Sequence, residues 1–134
     1  MRSKISGEVM DEMKSLGKHL ILELWDCQGL NDVDLVEKAL RQSAKICNAT
    51  VLDLDIHPFS PVGITGVAVL SKSHVLIHTW PELGFAAVDV FICEDDLDPS
   101  IVLPIFQDIF SPTHIQAMEV KRGVSGVSCL SRSA

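Results

Sequence analysis

Long apolar runs are missing from this sequence. None approaches the roughly 20 residues that a membrane span needs, and the longest, around His19–Trp25, is interrupted by Glu23. Residues 1–13 are polar and carry no apolar core of the signal-peptide kind. Basic clusters are absent as well. Lys and Arg number 11 against 18 Asp and Glu, a formal charge of -7 with His neutral, so neither nucleic acid nor an anionic membrane is an expected partner. A cationic ligand is compatible with that charge. The four cysteines, Cys27, Cys47, Cys93 and Cys129, form no C-x-x-C pair. Without a secretion signal their default state is the reduced thiol. A soluble cytoplasmic protein is the expectation.

What is present amounts to one domain. The chain has 134 residues, 47% of them hydrophobic, which leaves no room for a second unit and enough for a core without staples. No repeat, low-complexity block or linker falls within 16–122. Residues 1–15 read as an N-terminal extension and 123–134 as a flexible Ser/Gly-rich tail.

Periodicity divides the domain. Lys18–Asp26 reads as a strand. Asn31 or Asp32 can cap a helix in which Val33, Val36, Leu40, Ala44 and Cys47 form one apolar face. Thr50–His57 alternates as a strand with one wet face. Pro58, Pro61 and Gly63 mark a turn, and Ile64–Leu70, Val75–Thr79 and Phe85–Ile92 read as an antiparallel meander. Asp98-Pro99 starts a second helix that Pro104 should shorten or kink. His114–Val120 is a last strand. This order predicts an α+β two-layer sandwich, a mostly antiparallel sheet with its helices packed on one face. A sheet covered on one side makes a dimer plausible.

Reactive side chains concentrate in Ser71–Glu82. His74 and His78, four apart on a strand, point the same way and could ligate a metal. No third ligand is spaced to join them, His57 and Cys93 being candidates only from other strands, so no metal site is expected. Ser73 or Cys93 could act as a nucleophile with a histidine base, but neither lies in a G-x-S-x-G elbow or a cysteine-protease signature. Spacing alone does not choose between these readings.

The string Ser73-His74-Val75-Leu76-Ile77-His78-Thr79-Trp80-Pro81-Glu82, followed by Gly84–Phe91 and Cys93, closely resembles the prokaryotic S-adenosylmethionine decarboxylase proenzymes. The likeness extends back to Leu16–Leu20 and Phe59-x-Pro61-x-Gly63-x-Thr65-Gly66, and forward to Glu94–Pro99. It implies a self-processing, pyruvoyl-dependent enzyme. Ser73 would attack the Lys72 carbonyl, the resulting ester would eliminate, and the dehydroalanine left at 73 would hydrolyse to a pyruvoyl group. The products would be a β chain, 1–72, and an α chain beginning at 73. His78 matches the processing histidine and Thr65 an assisting hydroxyl. In the mature site a Schiff base to the pyruvoyl ketone would take up electrons as CO2 leaves. Cys93 matches the donor that protonates the carbanion, a role that by itself leaves cleavage largely unaffected. Phe59 and Trp80 match aromatic positions suited to adenine and sulfonium, and Glu82 a carboxylate suited to ribose.

The same resemblance implies a homodimer of αβ protomers and a place in spermidine synthesis. Three departures stand out. Lys72 replaces the family's usual Glu before the cut, the family's chain usually begins near Met13 (so the start is Met1, Met10 or Met13), and Pro104 makes the second helix atypical. The sequence leaves two alternatives open. One is a pyruvoyl-dependent ornithine or arginine decarboxylase, and the other an unprocessed, non-catalytic dimeric module. Strand parity also raises a difficulty, since Ser73 and His78 would face opposite sides of an unbroken strand unless the chain turns near Ser73.

Overall fold

Asp32 caps the first helix, α1 (Val33–Ile46), its carboxylate accepting from the N–H groups of Asp34 and Leu35 at 2.9 and 3.3 Å. Along α1 the apolar stripe is buried at Val36, Ala39, Leu40 and Ala44 and runs on to Cys47 just beyond it, while Val33 stays exposed at the edge. In this computed structural model the described residues are 15–94 and 96–124. The expected extension and tail therefore lie almost wholly outside the described residues.

Among the described residues six strands make one sheet: β1 (Gly17–Trp25), β2 (Asp53–Pro58), β3 (Ile64–Val69), β4 (His74–Trp80), β5 (Phe85–Ile92) and β6 (His114–Arg122). Their order is β2-β3-β4-β5-β1-β6, and every pairing is antiparallel. The first strand of the chain is thus inserted between β5 and β6. Period-2 alternation sends Leu20, Leu22 and Leu24 of β1, Val75 and Ile77 of β4, and Val88 and Val90 of β5 to one side. There they meet α1 and the second helix, α2 (Leu103–Phe110), whose Phe106 and Phe110 are fully buried. The two-layer α+β sandwich is the observed architecture.

Neither helix covers the opposite face. It presents Ile21 of β1, Leu76 of β4, Ala87 and Phe91 of β5, and Met118 and Val120 of β6, the last two 59% and 38% exposed.

Two elements differ from their expected form. β2 begins at Asp53 rather than Thr50, because its partner β3 ends at Val69, the residue opposite Asp53. Beyond that point Leu70 turns into the next hairpin. In the second helix Asp98 does cap, accepting from the Ser100 N–H at 3.0 Å, but it caps a 3-10 turn, Pro99–Val102. α2 then restarts with Pro104 in its first turn, where a missing N–H breaks no helical hydrogen bond. Pro104 therefore divides the segment rather than kinking a single helix.

Gly66 sets the distance between layers. A Cβ added there would stand 3.0 Å from Leu40 Cδ1 and 3.2 Å from Val36 Cγ1. Gly66→Val should push α1 off the sheet and cost about 1–3 kcal/mol, visible as a lowered midpoint in denaturant titration. An unchanged midpoint would mean that the helix yields freely.

Candidate active site

Residues 70–73 join β3 to β4, with the Leu70 N–H donating to the Ser73 carbonyl at 2.9 Å. Lys72 is exposed there and Ser73 half-buried. The register of β5 against β4 sets Phe91 opposite His74, so the chain leaving β5 passes beside the loop. Cys93 thereby reaches it twice. Its N–H donates to Ser73 Oγ at 3.2 Å, and its S–H donates to the Lys72 carbonyl oxygen at 2.8 Å.

A hydroxyl, the carbonyl one residue before it and a thiol donor on that carbonyl form a compact reactive unit. The S–H lies where negative charge would gather on Lys72 O if the Ser73 hydroxyl attacked that carbonyl. A cavity of about 300 Å³ opens beside the unit, lined by Cys47, Asn48, Lys72, Ser73, Cys93 and Glu94 among others. Burial pushes the Cys47 thiol up to about 11, so it stays protonated there. Cys27, also raised to about 11, first by burial and then by Asp26, lies outside this cavity.

The other residues singled out in the sequence gather at the far end of β4. Thr65 and His78 are opposite one another on β3 and β4, with Thr65 Oγ1 and His78 Nδ1 3.0 Å apart. A second cavity, of about 260 Å³, is lined by Phe59, Thr65, His78, Trp80 and Glu82. Phe59 stands 56% exposed in the β2–β3 turn. That turn is fixed by the Phe59 N–H on the Gly63 carbonyl at 2.7 Å, and by the Gly63 N–H on Asn31 Oδ1 at 2.9 Å. Asn31, one of the two candidate caps, thus ties this turn to the approach to α1 instead. Trp80 is not core. It is 39% exposed and packs on Phe85 and His78, with ring centres 5.4 and 6.3 Å away. Glu82 is exposed in a 3-10 turn, Pro81–Leu83.

The eight residues therefore form two groups within one chain. Lys72, Ser73 and Cys93 make one, and Phe59, Thr65, His78, Trp80 and Glu82 the other. The chain does turn at Ser73 before β4 begins, as strand parity requires, but the turn does not carry His78 back to it. Five residues of extended strand separate the two by about 16 Å, and His78 faces the uncovered side of the sheet.

His74 and His78 share that face, and among the described residues no group of three or more His, Cys, Asp or Glu could hold a metal ion. Sequence reading missed Cys47 and Asn48, which follow α1 and reach the Ser73 cavity only through helix packing. Glu94 was legible as part of the family string but carried no role.

Comparison with known proteins gives one consistent result. The family model described as S-adenosylmethionine decarboxylase matches residues 18–123. The S-adenosylmethionine decarboxylase proenzyme of Methanococcus maripaludis is 52% identical over 114 residues, covering 84% of this chain and 93% of that protein. The proenzyme of Thermomicrobium roseum is 47% identical, covering 84% and 97%. A crystal structure of the adenosylmethionine decarboxylase from Aquifex aeolicus superposes with a TM-score of 0.76 at 29% identity, covering 88% of this chain and 99% of that one.

Proposed function

Because this chain belongs to the S-adenosylmethionine decarboxylase family, we propose that it decarboxylates S-adenosylmethionine after cutting itself between Lys72 and Ser73. The observation that carries this reading is the double contact of Cys93 with the Ser73 hydroxyl and the Lys72 carbonyl.

In self-cleavage Ser73 Oγ attacks the Lys72 carbonyl carbon and the Lys72–Ser73 amide gives way to an ester. Removal of the Ser73 α-proton then expels the Lys72 carboxylate, ending the first chain. Hydrolysis of the dehydroalanine left at 73 releases ammonia and forms the ketone. The residues fit that origin, since the hydroxyl is held by one Cys93 donor and the scissile oxygen by the other. A pyruvoyl group at 73 supplies an electron sink for the pair left behind as CO2 departs.

The remaining work belongs to side chains. The Cys93 thiol returns a proton to carbon. Thr65 and His78 handle protons during processing. Phe59 and Trp80 offer faces to adenine and sulfonium, and Glu82 accepts from ribose hydroxyls. The free thiols of Cys27, Cys47 and Cys93 suit a reducing cytoplasm. Among the described residues no helix is long and apolar enough to cross a membrane.

The separation of the two groups argues for a homodimer of αβ protomers. Two copies meeting through their uncovered sheet faces about a two-fold axis lay the start of one β4 over the end of the other. Ser73 and Cys93 of one protomer then join Thr65, His78, Phe59, Trp80 and Glu82 of its partner.

Co-expression tests this arrangement. Chains carrying Ser73→Ala or His78→Ala should each remain uncleaved alone. Together they should give cleavage of the His78→Ala chain only, read by intact mass, because its Ser73 meets an intact His78 on its partner. No cleavage in the mixture would place both residues of a site in one protomer. CO2 release from S-adenosylmethionine, with ornithine and arginine as controls, tests the substrate.

A further inference from the structure

On the uncovered face, His19 of β1 and His74 of β4 flank Phe91 of β5 in one cross-strand row. Their rings are 6.4 Å apart, edge to face, and lie 6.0 and 5.7 Å from the Phe91 ring. Arg122 Nη1 of β6 lies 3.5 Å from His19 Nδ1, and its guanidinium sits 5.7 Å from the centre of Phe91. A guanidinium can only donate, so this contact needs Nδ1 without a proton and leaves the proton on Nε2. His19 Nε2 is shut off from solvent with no hydrogen-bond partner. Asp89 Oδ1 on β5, at 3.6 Å, is beyond hydrogen-bond length. The other titratable groups of this face on β1 and β4 are Glu23 and His78, two rows away, while β3 faces it with Thr65, Val67 and Val69.

With both imidazoles neutral, Arg122 and Asp89 balance. With both protonated the cluster carries +2, and the His19 nitrogen that accepted from Arg122 repels it. Resting on the homodimer reading above, the geometry points to His19 and His74 as a proton-operated release of the dimer. A second copy brings its own cluster onto this face and removes water from both, where unbalanced charge is costly.

Burial, with His19 next, already holds His74 below the ordinary histidine range against the opposing pull of Asp89. The sign follows. Groups whose proton affinity falls on burial shed protons as the interface forms, so acid opposes assembly. The dimer has full strength above about pH 6.5 and weakens as pH drops below it.

Sedimentation equilibrium of the full chain at pH 7.5, 6.5 and 5.5 tests the link, with far-UV circular dichroism at each pH to hold the comparison to folded protein. The dissociation constant should rise about tenfold or more from pH 7.5 to 5.5. His19→Gln with His74→Gln should flatten that dependence, and His19→Gln alone should remove part of it. A constant independent of pH in the unaltered protein overturns the switch and leaves the dimer standing. A pH dependence that survives the double substitution overturns the assignment to these histidines. A monomer at pH 7.5 overturns the homodimer reading itself, and the switch with it.

Discussion

Ser73→Ala should yield a single uncleaved chain of 134 residues and lower CO2 release from S-adenosylmethionine by more than about a thousandfold. Removing the hydroxyl removes both the nucleophile of the cut and the Cβ oxygen whose ester must leave before a dehydroalanine, and from it a ketone, can form at 73. The fold should survive. The substitution leaves the Cys93 N–H, which donates to Ser73 Oγ, to find water at a half-buried site, a cost of about 1 kcal/mol. Intact mass and circular dichroism read these two outcomes separately. Two fragments from this variant would place the scissile bond elsewhere.

Cys93→Ala should act on cleavage as well as on turnover. The role that the resemblance implies for this residue, protonation after CO2 loss, would by itself leave cleavage largely unaffected. The 2.8 Å contact from its thiol to the Lys72 carbonyl implies more, because the oxygen that becomes negative on attack loses its donor. Loss of one such donor slows a reaction about 10²- to 10³-fold, so the time course of cleavage should lengthen by a comparable factor. Cys93→Ser, which keeps a donor on a shorter arm, should cleave faster than Cys93→Ala. Molecules that do mature as Cys93→Ala should fail in productive decarboxylation. Cleavage at the unaltered rate would show that the carbonyl contact does no chemistry, and undiminished CO2 release would remove Cys93 from the mechanism.

Much of the fold is written locally. The α1 stripe and the Asp32 cap are short-range patterns, and so is the alternation that marks β3, β4 and β5. The position of β1 between β5 and β6 is not local. It depends on pairings between residues as far apart as Leu24 and Ala86 or Gly17 and Arg122, for which no periodicity stands. The site divides in the same way. Spacing brought His74 and His78 to one face but could not bring Cys93 to Ser73, which takes the β4–β5 register. Only the family resemblance linked those two. Conversely, the resemblance assigned His78 to Ser73 without regard to distance, and the rise of β4 places them apart within one chain. Where Pro104 falls was plain in the sequence, but the 3-10 turn ahead of it was not, because Asp98-Pro99 starts either kind of helix equally well.

The insertion of β1 gives the nick an unusual character. A cut between Lys72 and Ser73 assigns β1, β2, β3 and α1 to one fragment and β4, β5, β6 and α2 to the other. In the sheet these fragments are interleaved, since the first fragment's β1 is hydrogen-bonded on both sides to strands of the second. Maturation therefore cannot loosen the protein into halves, and each piece is as dependent on the other as a strand is on its sheet. Folding must come before cleavage, because only the folded chain sets Cys93 against Ser73. Once cleaved, the same architecture would have to reassemble from two molecules, with no covalent loop to hold them at high local concentration. Maturation thus acts as a ratchet. The proenzyme can unfold and refold as one molecule, whereas the mature protein, once unfolded, becomes dependent on its own concentration to return.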